Sequence, residues 1–192
     1  IMTHGTKSAL AGAAAIAGAV TAAIAGFKWN SVFAIAIEAA QEAARFGSGE
    51  SAHSLLDRLQ HGQWLVGNCS ADQFPRRLYR EIGSGFSVLE AVPAALSLAC
   101  FYDTAKEAIL QAVNLGGDAD TVASMTGAIA GARSPDSIPA RWLRLVRKHN
   151  QLELTPIARQ LLLLRNQSLP NSPCLQHIAK HQICVCGLGR NC

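Results

Sequence analysis

Two carboxylates and a hydroxyl lie within four residues of each other in the middle of this chain. Asp118, Asp120 and Thr121 follow the pair Gly116–Gly117, and a stretch rich in alanine and glycine comes next. Glycines permit a sharp turn, and Asp120 or Thr121 can cap the helix that the following stretch predicts. Oxygen ligands of this kind are also those that Mg²⁺ prefers in proteins. The pattern leaves two interpretations open, a capped helix start without a ligand and part of a divalent-ion site.

The elements that must position this turn are all predicted to be helices. Helical patterns cover residues 9–27, 32–46, 51–59, 88–102, 104–113, 121–132 and 139–148, and the third of these helices is predicted to end at Gly62. No segment alternates as a strand does. A length of 192 residues with 49% hydrophobic and 16% charged side chains suits one all-α domain with a sizeable core. The net charge of +4 is mild and carries no basic stripe with aromatic residues, so no nucleic-acid partner is predicted.

The first predicted helix is an uncharged run from Ala9 to Phe27. Its length would admit a membrane span, and Lys7 ahead of it imitates a signal peptide. The run is mostly alanine and glycine, however, which gain little from lipid and allow helices to approach closely. Its larger apolar residues recur at helical spacing: Ile16, Val20, Ile24 and Phe27. We therefore predict a core helix that buries this stripe of larger residues, and no membrane partner.

Several segments, matched in order, resemble the ADP-ribosylglycohydrolase family. The sequence GGDADTVASMTGAIAGA starts at Gly116, and Ile138, Pro139 and Trp142 follow it in the family's IPxxW arrangement. Met2-Thr-His4 before the alanine-rich run and the segment 83–95, with its Gly-x-Gly and Val-Pro-x-Ala, also match. The resemblance runs from about residue 2 to residue 165. It implies an orthogonal multi-helix bundle without the family's N-terminal part, residues 1–165 being a partial domain with a two-metal centre and an ADP-ribose pocket.

The resemblance also implies roles for particular residues. It implies metal ligands at Asp118, Asp120 and Thr121, for two Mg²⁺ ions that Mn²⁺ can replace. It implies substrate contacts at His4, Gly83, Ser84, Gly85 and Phe86, the last four in a loop beside adenosine. From the residues alone, His4 is equally well a helix-start histidine without a ligand, and Phe86 equally well a buried core aromatic.

The main departure from the family is an absence. Family members carry a GDAxG segment, a TDDT metal motif and a GNGxxMR phosphate loop in their N-terminal half, and none of these occurs in this sequence. Two divalent ions bring four positive charges, whereas the two aspartates return two negative charges, so ion binding should be weak. The family's carboxylate general base is absent as well, and no catalytic residue is identified. The sequence therefore predicts a hydrolase of ADP-ribosyl glycosidic bonds that is impaired in this chain, or else a non-catalytic ADP-ribose-binding or structural remnant.

The family resemblance predicts the partners of the chain, and the distribution of its cysteines predicts the compartment. The expected substrate is an ADP-ribosylated protein or a small ADP-ribose derivative, and open helix faces predict a dimer or a separate N-terminal half. Residues 166–192 match nothing in the family and are predicted to be a disordered tail. That tail holds four of the six cysteines with His177 and His181, yet their spacings fit no common zinc module. This uneven use of cysteine indicates the reducing cytoplasm rather than a secreted disulfide framework.

Overall fold

A computed structural model describes residues 4–49, 51–151 and 153–168, with the backbone alone for 165–168. The described residues form nine α-helices and no strand, which confirms the all-α prediction. The helices are α1 Lys7–Ile24, α2 Trp29–Ala44, α3 His53–Asn68, α4 Phe74–Glu81, α5 Val88–Phe101, α6 Ala105–Asn114, α7 Ala119–Arg133, α8 Ala140–Asn150 and α9 Leu154–Ser168, with a 3-10 turn at Pro135–Ser137. They fall into two compact units, one up to Pro139 and one from Ala140 onward. Met2, Thr3 and the predicted tail beyond Ser168 lie outside the described residues.

Helix α5 forms the centre of the first unit. Every residue from Ala91 to Cys100 is buried, and α5 packs against α3, α7, α1 and α6. The hydroxyl of Ser87 caps its start by accepting a hydrogen bond from the Leu89 N–H at 3.2 Å. The loop ahead of α5 is therefore fixed to the most deeply buried helix of the unit.

Helix α1 packs through its smallest residues. Its buried positions are Ala11, Gly12, Ala15, Ala19, Ala22 and Ala23. The prediction that the larger residues form the buried stripe is wrong, because Ile24 is 60% exposed and Ile16, Val20 and Phe27 are only partly buried. A Cβ on Gly12 would collide with Val88 of α5, so the two helices are too close for large side chains between them.

By length and composition alone, α1 could cross a membrane, and such a helix near an N-terminus is weak evidence of a span. In the structure its alanine face belongs to the core and packs against α2, α5 and α7. The predicted role of α1 as a core helix accords with this packing. Helix α7 also contacts α1, although its contacts with α5 and α6 are more extensive.

Helix α3 continues through Gly62, where the sequence predicts that it ends. A Cβ on Gly62 would collide with the Ser97 hydroxyl of α5. The glycine is therefore needed for a close helix crossing and does not mark a helix end. Helix α2 also differs from its predicted bounds, because it begins at Trp29 and the predicted start is Val32.

A cluster of aromatic and charged side chains joins α3 to α4. Glu81 accepts a hydrogen bond from Arg77 Nε at 2.7 Å and lies 2.8 Å from His61 Nε2. The Arg77 guanidinium lies 4.9 Å from the centre of the Trp64 ring, which stacks on His61. The hydrogen bond from Arg77 lowers the pKa of the Glu81 carboxyl, and His61 adds to this effect.

This cluster should make the stability of the first unit depend on pH. Because the pKa of Glu81 is lower in the folded chain, its contribution is present above the unfolded-state pKa of about 4.3 and lost as pH falls through the folded value. We expect Glu81→Gln to reduce the free energy of unfolding at pH 7 by about 1 kcal/mol or less, as for other exposed pairs, and to make little difference at pH 3. Urea unfolding followed by tryptophan fluorescence measures this effect. Asp72→Asn, which removes the same charge at an exposed carboxylate, is the control.

Candidate functional site

Two of the predicted site segments meet in the structure, namely the turn ahead of α7 and the loop ahead of α5. The Asp118 N–H donates a hydrogen bond to the Ser84 carbonyl oxygen at 2.7 Å. Gly117 lies directly against the same residue, since a Cβ on Gly117 would collide with the Ser84 carbonyl and lie 2.6 Å from the Ser84 hydroxyl. The metal-ligand and substrate-loop positions implied by the sequence are therefore neighbours in space.

The turn ahead of α7 has the backbone shape that its glycine pair predicts. Gly116 has a φ of +86° and Gly117 a φ of +68°, a region that other residues rarely adopt. The predicted cap is wrong, however. The residue at the cap position is Asp118, which makes no side-chain capping bond, and Asp120 and Thr121 lie inside the first turn of the helix. The Asp118 carboxylate therefore takes no part in capping the helix.

The side chains of Asp118 and Asp120 lie next to each other in this turn. Asp120 Oδ1 accepts a hydrogen bond from the Thr121 N–H at 2.9 Å. That bond lowers the pKa of the Asp120 carboxyl, and the neighbouring Asp118 side chain adds to the effect. Asp120 and Thr121 are exposed, and Asp118 is half-buried. The turn consequently presents negative oxygen atoms to solvent at the start of a helix, where the helix dipole also favours negative charge.

The loop from Gly83 to Phe86 is wrapped around a carboxylate that sequence reasoning did not assign to the site. The Gly85 N–H donates to Glu90 Oε2 at 2.8 Å. A Cβ on Gly83 would collide with Glu90, and one on Gly85 would lie 2.9 Å from the same oxygen. The sequence pattern that could have identified Glu90 is an acidic residue in the first turn of a helix that follows Gly-x-Gly. Carboxylates at a helix start accept hydrogen bonds from nearby backbone N–H groups.

Ser84 and Phe86 occupy opposite environments within this loop. Ser84 is 2% exposed, and its hydroxyl has no hydrogen-bond partner among the described residues. Buried hydroxyls normally have partners, so this one marks an unusual position. Phe86 is 91% exposed. This exposure rules out the alternative that Phe86 is a core aromatic, while its stacking on adenine stays a prediction.

His4 lies ahead of α1 and is exposed, with no hydrogen bond or ion pair inside the described ranges. Near it, the starts of α1, α3 and α5 converge on a cavity of about 270 Å³. The cavity is lined by Thr6, Ser8, Ser51, Ser54 and Leu89, none of which was predicted as a site residue. The start of α1 therefore lies beside the start of α5, although the structure shows no direct contact between His4 and the acidic turn.

The oxygen atoms at the turn are of the type that a hard divalent ion binds, but they are fewer than two such ions need. Carboxylate and hydroxyl oxygens from Asp118, Asp120 and Thr121 suit Mg²⁺ or Mn²⁺, which take about six oxygen ligands each. In the part of the chain that the structure describes, no group of three or more histidine, cysteine or acidic side chains could hold a metal ion. These residues can therefore supply a share of the ligands of a two-metal centre, while the implied full centre is not assembled by the described residues.

A family model and several known proteins match all or part of this chain. A family model described as ADP-ribosylglycohydrolase matches residues 1–170. YegU of Escherichia coli (strain K12), an uncharacterized protein, is 31% identical over 168 residues, which cover 86% of this chain and 50% of YegU. Human ADP-ribosylhydrolase ARH3 is 35% identical over 74 residues, 32% of this chain and 20% of ARH3. ADP-ribosylarginine hydrolase Tri1 of Serratia proteamaculans (strain 568) is 38% identical over 94 residues, 48% of this chain and 25% of Tri1. The chain thus spans half or less of the length of each of these relatives.

Proposed function

This chain belongs to the ADP-ribosylglycohydrolase family, and we propose that it acts on the glycosidic bond between ADP-ribose and a modified acceptor. The observation that carries the proposal is the hydrogen bond from the Asp118 N–H to the Ser84 carbonyl at 2.7 Å. It brings together the acidic turn and the glycine loop, two of the segments in which the sequence resembles the family. The names of ARH3 and Tri1, an ADP-ribosylhydrolase and an ADP-ribosylarginine hydrolase, support the same reaction class.

The arrangement of helices suits the negative charge of ADP-ribose, which carries a diphosphate between its two riboses. The starts of α5 and α7 meet where Ser84 contacts Asp118, and the starts of α1 and α3 share a cavity with that of α5. Helix N-termini attract anions through their free N–H groups and dipoles. We propose that the diphosphate lies at this convergence and that the exposed ring of Phe86 stacks on adenine.

We propose further that Asp118, Asp120 and Thr121 are ligands of Mg²⁺, or of Mn²⁺ in its place. Such an ion, when bound, supplies positive charge that orients the substrate's oxygen atoms and lowers the pKa of a bound water. The chain's own contribution is to hold Asp120 in its charged form, because the Thr121 N–H lowers the pKa of that carboxyl. Hydrolysis also needs a base that accepts the proton of the attacking water.

A second function, ADP-ribose binding without turnover, is favoured by the incomplete donor set. The described residues assemble no third acidic side chain, histidine or cysteine with Asp118 and Asp120. Without further carboxylates, the charge of two divalent ions is only half neutralised, and no base is positioned for the water. On this basis we propose that the chain binds ADP-ribose but hydrolyses ADP-ribosylated substrates slowly.

Metal removal tests the reaction directly. We expect the 192-residue chain to release ADP-ribose from an ADP-ribosylated protein in Mg²⁺, to lose that activity in EDTA, and to regain it when Mg²⁺ is added back. Released ADP-ribose is measured by liquid chromatography, and binding of free ADP-ribose by calorimetry. Binding without release supports the second function. A chain that neither binds nor releases ADP-ribose contradicts both functions.

Assembly and compartment stay predictions. Ile24 and Phe46 are 60% and 74% exposed, which accords with the predicted dimer or separate N-terminal half, and light scattering on a size-exclusion column measures the mass in solution. Cys69 and Cys100 are free thiols, and localisation in the reducing cytoplasm stays a prediction.

A further inference from the structure

Helix α8 carries basic and apolar side chains on opposite faces. Its basic residues recur every three or four positions, at Arg141, Arg144, Arg147 and Lys148. Its large apolar residues occupy the other side, at Trp142, Leu143, Leu145 and Val146. Arg141 lies one turn before Leu145, and Arg147 lies one turn after Leu143. Basic side chains therefore border the apolar face along both of its edges.

The apolar face of α8 is open to solvent. No residue of this helix is buried, and Leu143, Leu145 and Val146 are 43%, 43% and 50% exposed. The same unit contains a second apolar helical segment, Leu154–Leu164, whose large residues are also exposed. A helical segment of this length extends about 16 Å and cannot cross the roughly 30 Å of a hydrocarbon core. Any contact of these helices with lipid would therefore be made at the membrane surface.

The charge around the apolar face favours an anionic partner. No acidic residue lies between Asp136 and Glu153. The four basic side chains of α8 are exposed, and the ion pairs found among the described residues involve none of them. A second copy of the chain would bring the same positive charge to this face, which opposes docking.

The extent of the apolar face distinguishes a lipid surface from a protein groove. Proteins that bind an amphipathic helix in a groove engage apolar anchors over two turns or more. The apolar anchors of α8 all lie within residues 142–146. A bilayer surface requires no such spacing of anchors, and anionic lipids attract the basic side chains that border the face.

We propose that α8 lies in the surface of membranes that contain anionic lipids. Its apolar face enters the boundary between headgroups and acyl chains, and its basic side chains contact the headgroup phosphates. Arginine and lysine can cover apolar surface with their stems while their charges stay among the headgroups. The prediction of no membrane partner was made from α1 alone, and α8 gives a reason to revise it.

Vesicle flotation with the 192-residue chain tests this proposal. We expect vesicles of equal parts phosphatidylcholine and phosphatidylserine to bind the chain at least about tenfold more strongly than vesicles of phosphatidylcholine alone. High salt should remove most of this difference, because it screens the surface charge. Binding to neither kind of vesicle, or equal binding to both, overturns the proposal.

Helix α6 offers a matched control for the apolar face. Leu110 and Val113 are 41% and 52% exposed and have the same spacing as Leu143 and Val146. Leu143→Gln combined with Val146→Gln should weaken binding to the anionic vesicles by at least about tenfold, because apolar surface no longer leaves water. Leu110→Gln combined with Val113→Gln should change it by less than about twofold. Equal losses in the two double variants overturn the proposal.

Charge reversal provides a second pair of variants. Arg144→Glu combined with Arg147→Glu should abolish the preference for phosphatidylserine, whereas Arg76→Glu combined with Arg80→Glu, at exposed positions of α4, should preserve it. Loss of the preference in both variants shows a response to overall charge and overturns the proposal.

Two further measurements do not depend on these double variants. Brominated lipid should quench the tryptophan fluorescence of the wild-type chain, and Trp142→Phe should remove most of this quenching because Trp29 and Trp64 lie outside α8. Quenching that persists in Trp142→Phe contradicts the placement of α8. Light scattering tests the other occupant of the face. A dimer that Leu143→Gln with Val146→Gln dissociates, together with no vesicle binding by the wild type, assigns the face to a second copy and overturns the proposal.

Discussion

Replacement of Asp120 by asparagine should weaken the proposed Mn²⁺ binding by at least about tenfold. Asparagine keeps the size of the side chain and one amide oxygen but removes the negative charge. The carboxylate of Asp120 is one of only two at the turn, and its Oδ1 accepts a hydrogen bond from the Thr121 N–H. Hard cations depend strongly on the number of charged ligands. The measurement is titration of the chain with Mn²⁺, followed by electron paramagnetic resonance.

Asp136→Asn is the matched control for this experiment. Asp136 is an exposed carboxylate in the 3-10 turn beyond the opposite end of α7, and its replacement changes the net charge of the chain by the same amount. It should leave Mn²⁺ affinity within about twofold of the wild type, because charge effects at that distance are largely screened by salt. Equal losses in the two variants would show that the ion responds to the overall charge of the chain and that the acidic turn is no specific site.

Replacement of Gly12 by leucine should lower the free energy of unfolding by about 3 kcal/mol or more, since overpacking of a close helix contact displaces backbone as well as side chains. A Cβ alone would already collide with Val88 and lie 3.3 Å from Val92 Cγ2. The better helix propensity of leucine offsets only about 0.8 kcal/mol of this loss. Urea unfolding followed by far-ultraviolet circular dichroism gives the free energy.

Ala13→Leu isolates the packing effect. Ala13 is the next residue of the same helix and is exposed, so leucine there adds the same side chain without a neighbour to displace. Its effect should stay within about 0.5 kcal/mol, as for most surface substitutions. Equal stability of the two variants would contradict the close approach of α1 to α5.

Features that depend on local sequence could be predicted, and those that depend on distant contacts could not. The glycine pair at 116–117 predicted a sharp turn because only glycine takes its φ angles readily. The capping of α6 by the Thr104 hydroxyl, which accepts from the Glu107 N–H at 3.2 Å, was likewise local. The all-α class followed from periodicity over long segments, where that signal is strongest.

Helix α1 shows why periodicity alone was insufficient. Both its larger residues and its alanines recur at helical spacing, so each set forms a continuous stripe. The choice of buried stripe depends on how near α2, α5 and α7 approach, and that distance is set by side chains elsewhere in the chain. The role of Glu90 was missed for a related reason, because its partner is a backbone N–H in a loop whose path the sequence does not define.

The separation of the two site segments along the chain has a consequence for folding. Helices α5 and α6 lie between the Gly83–Phe86 loop and the acidic turn, so the hydrogen bond from Asp118 to Ser84 requires these helices to be packed in their native positions. Short peptides that carry one segment would therefore lack the binding surface. During synthesis on the ribosome, the proposed binding of ADP-ribose would arise only once α7 has emerged. Nucleotide-sugar binding would thus report on completed native structure and could identify correctly folded molecules in a mixed preparation.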